Sequence, residues 1–286
     1  QKEFVKYLEK VMCYDLDRGL MKESEHPFTL GTDTSNVRVT THYYENMFLS
    51  AVFSAIHEMG HATYEQQCDP ALDQTMGMHE SQSRFYENIV GRSYEFWQRH
   101  YPKLVELFPE QLGKVGLEEF YKGVNVAECS LIRTEADELT YSLHIMVRYE
   151  LEKRMMDGSL GVDSLPAEWN KMYKEYLGVD VPSDKEGVLQ DMHWSGGSIG
   201  YFPTYAVGSA YSAQIYHAMC RELDMKKAMG GENLSEINNW LKEKIHRYGA
   251  SRDPKDILKG ATGEEFNPDY YVNYLIEKYG KIYNIK

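Results

Sequence analysis

The sequence has no run of about 18 uncharged apolar residues, the length that a membrane-spanning helix requires. Its first residues alternate charged and apolar side chains instead of forming the basic and then apolar segments of a secretion signal. No internal repeat with a period of 20–50 residues is visible, which argues against solenoids and propellers. We therefore expect neither a membrane span nor a secretion signal, and an ordinary globular fold.

Cysteine is scarce, and basic residues are outnumbered by acidic ones. The four cysteines lie far apart and include no CxxC pair, so a dense disulfide framework is excluded and a reducing cytoplasm is favoured. Lys and Arg number 31 against 44 Asp and Glu, which gives a formal net charge of −13. This excess repels phosphate backbones and anionic lipid, so the sequence predicts neither nucleic acid nor a membrane as a partner.

Helical spacing dominates the 286 residues, of which 42% are apolar. Apolar residues at three- and four-residue steps predict a long helix near 43–67, after a first helix near 2–22. Between them, a loop is followed by an alternating segment that predicts one short strand near 37–41. Further helices are predicted near 78–107, 109–123, 125–156, 166–178, 203–229, 234–248 and 268–281. The predicted class is mainly α with a small β element.

The strongest chemical signal is an HExxH motif formed by His57, Glu58 and His61, with apolar flanks. Side chains four positions apart lie about 40° apart around a helix and about 6 Å along it, so both imidazoles can converge on one metal ion. Glu58 falls on the neighbouring edge, where it could accept a proton from a metal-activated water. Two surface histidines would be the plainer interpretation, but buried unpaired histidines carry a desolvation cost that a metal offsets.

A catalytic zinc site needs a third protein ligand. A third histidine six positions after His61 is absent, because Gln67 stands there. The next helical segment offers three candidates, between which spacing alone does not choose: Glu80, Glu87 and His79. The positions of Glu80, Arg84 and Glu87 would also suit an ion-pair ladder on a helix surface.

Six short motifs follow one another along the chain. They are HPF at 26–28, NVRVT at 36–40, HExxH at 57–61, HESQ at 79–82, IRTEAD at 132–137 and GVLQDMHW at 187–194. In this order they resemble the carboxypeptidase Taq family of metallocarboxypeptidases, in which the second motif is DxRxT. The resemblance extends from about residue 20 to the end of the chain.

The resemblance implies a helical, zincin-like metallopeptidase core that forms one wall of a long substrate groove. It implies an enzyme that removes residues one at a time from the C-terminus of peptides, and it assigns the third metal ligand to Glu87. The implied cofactor is one divalent metal ion, zinc first and cobalt as the alternative. A cytoplasmic homodimer is also implied, with peptides that carry a free C-terminal carboxylate as its substrates.

Two departures from the family pattern accompany this resemblance. Family members are close to twice as long, so we expect residues 1–286 to form a single catalytic, C-terminal domain without the family's N-terminal helical portion. The Asp that opens DxRxT is Asn36 here, which weakens any ion pair with Arg38.

An enzyme that acts on a free C-terminus must bind a carboxylate, with which a guanidinium can form two parallel hydrogen bonds. Arg133 is the first candidate for this contact. It lies in the predicted helix near 125–156, where Asp137 offers the alternative of an internal ion pair. Arg38 is the second candidate.

The oxyanion that develops during attack on a carbonyl needs hydrogen-bond donors placed in advance. The glycine- and aromatic-rich segment 185–205 is predicted to be a ligand-holding loop and supplies such donors. We predict catalytic roles for His193 and Tyr201, and substrate binding by Tyr205 and by His79 of the HESQ motif. Asp191 could orient His193 or a ligand histidine.

Two other functions fit the same motifs. A helical oligoendopeptidase of the thimet type also combines HExxH with a distant Glu. A fragment that binds metal or peptide without catalysis is the alternative outside enzymes. No GxSxG elbow is present, so covalent catalysis is not indicated.

Overall fold

The computed structural model describes residues 1–72 and 76–285. The chain forms two compact units: unit 1 joins Gln1–Val124 to Gly208–Lys286, and unit 2 is Asn125–Val207. The secondary structure is mainly helical with one small sheet, so the predicted fold class is confirmed. Among the described residues, no helix is both long and apolar enough to cross a bilayer. The single catalytic domain stays a prediction.

The helices are numbered in chain order. They are α1 (Lys2–Val11), α2 (Phe48–Gln67), α3 (Met76–Arg84), α4 (Tyr94–Leu107), α5 (Pro109–Leu112), α6 (Leu117–Val124), α7 (Tyr141–Met156), α8 (Leu165–Leu177), α9 (Pro203–Glu222), α10 (Met225–Met229), α11 (Ser235–Lys244), α12 (Pro254–Thr262) and α13 (Asp269–Tyr283). A π-helical turn, Phe85–Val90, follows α3 directly, and short 3-10 turns lie at Arg133–Glu135, Val162–Ser164 and His246–Tyr248.

Unit 1 contains a three-stranded sheet, of which the sequence predicted one strand. The strands are β1 (Gly19–Glu23), β2 (Thr29–Asp33) and β3 (Asn36–Thr41), in the order β1-β3-β2. β1 runs parallel to β3, and β2 runs antiparallel to it. The prediction of a helix near 2–22 was wrong in its second half, because α1 ends at Val11 and the chain then turns into β1.

Helix α2 lies at the centre of unit 1, against β2 and β3 on one side and α3 with its π-helical turn on another. Most of its side chains are buried, as a helix covered on several sides requires. Gly60 sets the approach of α3, because a Cβ atom there would lie 2.9 Å from the Cα atom of Ser83. The two backbones can come this close only without a side chain at position 60.

Unit 2 is built on helices α7 and α8, which pack through a cluster of buried side chains that includes Val147, Leu151, Trp169 and Tyr173. Helix α7 begins at Tyr141, so the helix predicted from residue 125 was wrong over its first half. The segment between α8 and α9 contains no helix or strand. This segment is the loop that the sequence predicted, and it ends where α9 begins at Pro203.

Candidate active site

His57 and His61 lie one turn apart on α2, as the HExxH spacing predicts. Their ring centroids are 4.8 Å apart, and the two side chains are only 17% and 15% exposed. They therefore do not form an exposed surface pair. The buried sides of α2 hold both imidazoles next to the glutamates of α3 and its π-helical turn.

Two glutamates contact this pair of histidines. Glu80 Oε2 lies 3.5 Å from His61 Nε2, and ligand atoms of His57, His61 and Glu80 all lie within 4.8 Å of one another. Glu87 Oε2 lies 2.8 Å from His57 Nδ1. The assignment of Glu87 as third ligand stays a prediction, with Glu80 as a competing carboxylate at the same place.

Arg84 connects the two glutamates and explains their helical spacing. Its Nε donates to Glu80 Oε1 at 2.8 Å, and its Nη1 donates to Glu87 Oε2 at 3.3 Å. The ion-pair ladder considered from the sequence is thus present, but it is buried, with the Arg84 side chain 11% exposed. An arginine at this position holds both carboxylates beside the histidines through charge-assisted hydrogen bonds.

The protonation of His61 and Glu87 suits a metal site. Burial, with the charges of His79, His57 and Arg84, lowers the pKa of His61 well below its usual value, so His61 is neutral. Burial alone would lower the pKa of His57, but the carboxylates of Glu87 and Glu80 raise it overall. Burial alone would raise the pKa of Glu87, yet Arg84 and His57 lower it to about 2. A neutral imidazole and an ionised carboxylate are the forms that bind a metal ion.

Glu58, the predicted general base, is held from strand β2. Thr29 Oγ1 lies 2.7 Å from Glu58 Oε2 and 2.9 Å from the backbone oxygen of Glu58. Burial raises the pKa of Glu58, although His57 and the Thr29 hydroxyl act against this rise. A carboxyl group with a raised pKa is suited to accept and return a proton near neutral pH.

His79, predicted to bind substrate, lies against His61 instead of standing apart from it. The Nδ1 atoms of the two rings are 2.5 Å apart, and His79 Nε2 lies 3.1 Å from Glu65 Oε1. Its role in substrate binding stays a prediction. The contact shows that a residue of the HESQ motif touches His61 of the HExxH motif directly.

Arg38 lies on the exposed face of β3, between Leu20 of β1 and Leu30 of β2 in the strand register. Its Nε donates to Asn36 Oδ1 at 3.1 Å, so the asparagine that replaces the family's Asp still pairs with it. In the part of the chain that the structure describes, no hydrogen bond or ion pair joins Arg38 to the HExxH residues. Substrate binding by Arg38 stays a prediction.

The remaining candidates, Arg133, His193, Tyr201 and Tyr205, belong to unit 2. Arg133 lies in a 3-10 turn and not in a helix, and its ion pair is formed with Asp191. Asp137, the alternative partner considered from the sequence, instead accepts hydrogen bonds from the backbone N–H groups of Leu139 and Thr140, just before α7. Burial alone would lower the pKa of Arg133, but Tyr141 and Asp191 raise it.

Asp191 is shared by two buried arginines. Arg133 donates to Oδ1 from Nη2 at 2.7 Å, and Arg148, which is fully buried, donates to Oδ2 from Nε at 2.7 Å. Burial alone would raise the pKa of Asp191, yet the two guanidinium groups lower it. Two positive charges facing one carboxylate leave a local excess of positive charge.

The loop donors predicted from the sequence do form one group. His193 Nε2 lies 3.1 Å from the Tyr205 hydroxyl, and the Tyr201 ring lies 5.4 Å from the His193 ring between centroids. Burial and Arg133 lower the pKa of His193, so this histidine is neutral. Asp191 Oδ1 lies 3.9 Å from His193 Nδ1, and the carboxylate is engaged mainly by the two arginines. The catalytic roles of His193 and Tyr201 stay predictions.

Sequence reasoning missed three residues that contact the candidates: Thr29, Glu65 and Arg148. Thr29 directly follows the HPF motif, and Glu65 lies one helical turn after His61, so position gave a weak signal for both. Arg148 had no signal, because its pairing with Asp191 spans 43 residues of sequence.

Comparison with known proteins places these residues in a family. A profile described as carboxypeptidase Taq (M32) metallopeptidase matches residues 1–279. Carboxypeptidase 1 of Bacillus subtilis is 46% identical over 292 residues, which cover 99% of this chain and 58% of the relative. Thermostable carboxypeptidase 1 of Thermus thermophilus is 41% identical, over 99% of this chain and 57% of the relative. The chain thus spans somewhat more than half the length of these relatives.

Solved structures agree with the sequence comparison. The crystal structure of the M32 carboxypeptidase from Deinococcus radiodurans superimposes with a TM-score of 0.95 at 39% identity, covering 100% of this chain and 60% of that one. Metallocarboxypeptidase 1 of Trypanosoma cruzi gives a TM-score of 0.93 at 38% identity, covering 97% and 60%. On its sequence, its fold and its HExxH centre, the chain belongs to the carboxypeptidase Taq (M32) family of metallopeptidases.

Proposed function

We propose that this chain holds one divalent metal ion at His57, His61 and Glu87 and hydrolyses the last peptide bond of peptides that end in a free carboxylate. The observation that carries the proposal is the buried pair of imidazoles next to two carboxylates that Arg84 fixes in place. The relatives' names, which all read carboxypeptidase, support the substrate class.

The donor set fits a catalytic metal ion of the zinc type. Two imidazoles and one carboxylate are a known ligand set for catalytic zinc, and they accept cobalt as well. Zinc is our proposal, and Glu87 is the proposed third ligand because the family resemblance assigns it. Glu80 is the alternative ligand, favoured by its position within 4.8 Å of both histidines.

A divalent ion held there would supply Lewis acidity and a water of lowered pKa. The chain's own contribution begins with Glu58, whose Oε2 is held by the Thr29 hydroxyl. In the proposal, Glu58 takes a proton from the attacking water and later delivers it to the amine that leaves. Its raised pKa matches this double use, because a general base that must also act as an acid works best near the operating pH.

Arg133 is proposed to bind the terminal carboxylate of the substrate. A guanidinium has five N–H donors, and the contacts described for Arg133 use three of them, two on Asp191 and one on the Tyr141 hydroxyl. One N–H on each terminal nitrogen is left, which is the pair that a second carboxylate needs. Asp191 therefore fixes the orientation of Arg133 and leaves it able to bind an anion.

His193 and Tyr201 are proposed to donate hydrogen bonds to the developing oxyanion, with Tyr205 and His79 as further substrate contacts. The neutral state of His193 and its hydrogen bond to Tyr205 support this, because a neutral imidazole next to a hydroxyl can be held as a donor. Arg38 remains the second candidate for the substrate carboxylate.

The decisive experiment compares a peptide with a free C-terminus and the same peptide amidated at its C-terminus. We expect release of the last amino acid from the first and no cleavage of the second. Glu58→Gln should lower kcat by about 10²–10⁴-fold while zinc content, measured by mass spectrometry, stays at the wild-type level. Glu9→Gln, a change of a buried glutamate on α1, is the matched control and should leave both readouts unchanged.

Two results would contradict the proposal. Cleavage inside the amidated peptide would identify an endopeptidase. Bound zinc without turnover in either the wild-type protein or Glu58→Gln would identify a metal-binding protein without catalysis.

A homodimer and a cytoplasmic location are further parts of the proposal. The homodimer rests on the family resemblance, and multi-angle light scattering of the purified chain measures it. All four cysteines lie among the described residues as free thiols, which supports a reducing compartment.

A further inference from the structure

A series of three hydrogen-bonded side chains begins at His61 on α2, passes through His79 on α3 and ends at Glu65, again on α2. His61 Nδ1 lies 2.5 Å from His79 Nδ1, and His79 Nε2 lies 3.1 Å from Glu65 Oε1. All three side chains are at most 15% exposed, so water does not substitute readily for these contacts. This series connects His61, a candidate metal ligand, to Glu65, which is not in the candidate metal site.

The direction of each hydrogen bond follows from which atoms can donate a proton and which can only accept one. A carboxylate only accepts, so the bond between His79 and Glu65 requires a proton on His79 Nε2. With that proton as its only ring proton, which is the state the inference assigns to His79, the ring has an acceptor at Nδ1. The short contact with His61 consequently requires a proton on His61 Nδ1.

This direction leaves the lone pair of His61 on Nε2. Nε2 is the atom that faces Glu80 Oε2, at 3.5 Å, within the group of candidate metal ligands. We infer that Glu65 and His79 are positioning residues that hold His61 with its proton on Nδ1 and its Nε2 free to bind the metal ion. The inference rests on the proposed metal centre and adds to it two residues that do not touch the ion.

Strand β2 packs against Glu65, the last side chain of this series. A Cβ atom at Gly31 would lie 1.7 Å from Glu65 Oε2, so the carboxylate is pressed against the backbone at this glycine. Gly31 has an ordinary strand conformation, and alanine can replace it only if the Glu65 carboxylate moves. Gly31→Ala is thus a way to displace Glu65 without changing any of the three polar groups.

Zinc affinity, measured by competition with a chelating dye, tests the inference without relying on activity. Because losing a partner that orients a metal ligand typically weakens metal binding by 10–100-fold, we expect about that loss in His79→Leu. His79→Asn keeps an acceptor near the position of Nδ1 and should lose less. Gly31→Ala and Glu65→Gln should also weaken binding, whereas the control Glu9→Gln should not.

The protonation site of His61 is the second readout. In metal-free protein labelled with ¹⁵N-histidine, long-range nitrogen–proton correlations show which ring nitrogen carries the proton. We expect the proton of His61 on Nδ1 in the wild-type protein, and loss of this preference in His79→Leu. If His79→Leu does not fold, Gly31→Ala and His79→Asn provide the same comparison.

The results separate this inference from the proposed function. Wild-type affinity in His79→Leu, or a proton on His61 Nε2 in the wild-type protein, overturns the inference even if the chain is an active carboxypeptidase. Zinc binding that depends on His79 in a protein without peptidase activity overturns the proposed function and leaves the inference standing. If the wild-type protein binds no zinc, the tautomer of His61 still decides the inference.

Discussion

The hydroxyl of Thr29 lies 2.7 Å from the Oε2 atom of Glu58, so an edge strand and the central helix meet at the proposed general base. This hydroxyl has one proton and lies near two acceptors on the same residue, the carboxylate and the backbone oxygen. It therefore fixes the Glu58 side chain against its own helix.

Thr29→Val should lower kcat more than it raises KM, because the substitution preserves shape and removes the bond that orients Glu58. A hydrogen bond to a charged group is worth about 1.5–3 kcal/mol, which corresponds to a loss of about 10- to 100-fold. Thr29→Ser restores the hydroxyl and should restore most of kcat. Steady-state kinetics on a free-acid peptide measures both, and equal loss in the serine and valine variants would rule out the positioning role.

Glu87→Ala should lose bound metal, and Glu80→Ala should retain it. The reason is that a third ligand is needed to complete the site, whereas loss of a neighbouring carboxylate leaves the coordination intact. Zinc content after dialysis against a weak chelator measures the difference. The opposite pattern would make Glu80 the ligand and Glu87 the partner of His57 Nδ1.

Arg133→Ala should lower kcat/KM for free-acid peptides while zinc content stays unchanged. The guanidinium donates to Asp191 and to the Tyr141 hydroxyl and is not a metal ligand in the proposal, so its removal should affect substrate binding. Arg133→Lys should recover little, since an ammonium cannot replace two parallel hydrogen bonds. An unchanged kcat/KM for free-acid peptides in Arg133→Ala would exclude carboxylate recognition by Arg133.

Gly60→Ala should destabilise the protein by about 1–3 kcal/mol, the usual cost of overpacking, because the added Cβ atom would lie 2.9 Å from Ser83 Cα. Chemical denaturation measures this cost. Gly123→Ala is the control: this glycine lies in α6 with no neighbour within 4 Å of the added atom, so alanine should stabilise the helix by up to about 1 kcal/mol. Similar effects at both positions would contradict the close approach of α2 and α3.

The free energy of unfolding should depend on pH partly through His144, which binds a proton in the unfolded state at pH values where it does not in the folded state. Burial and the charges of Arg148 and Arg133 lower the pKa of His144 to about 3, whereas the unfolded chain has a value near 6.5. Between these values the unfolded state binds a proton that the folded state does not, so stability is present above pH 6.5 and falls as pH decreases. His144→Phe should reduce the slope by about 1.4 kcal/mol per pH unit between pH 6 and 4.

Denaturation of the His144→Phe variant at several pH values measures that slope. His217→Gln changes an exposed histidine and should leave the slope as in the wild-type protein. An unchanged slope in His144→Phe would show that His144 is protonated in the folded state.

The candidate site was predictable where chemistry follows local spacing. HExxH places two histidines on one face of any helix, and here it did so. The neighbours of Glu87 were not predictable, because a π-helical turn shifts the register of the residues that follow α3. The partner of Arg133 was missed for a different reason: it lies 58 residues away, while Asp137 offered a plausible partner within one turn.

The fold shows the same division. Long amphipathic stretches such as α2 and α9 were found, but the segment after α1 was assigned to a helix although it forms β1. A five-residue strand has too few positions to reveal its alternation. Helix α12 was not predicted, although its start carries two recognisable signals. Asp253 accepts a capping hydrogen bond from Lys255 N, and Pro254 is the first residue of the helix.

Unit 1 is made of two stretches of chain that are separated by the whole of unit 2, and Asn238 is among the residues that join them. Asn238 donates to the backbone oxygen of Met12 at 2.8 Å and accepts from the Tyr86 hydroxyl at 2.6 Å. During synthesis, His57, His61 and Glu87 therefore leave the ribosome well before the segment that completes their surroundings. Metal loading should follow release of the finished polypeptide, and nascent chains stopped before residue 238 should not retain the ion.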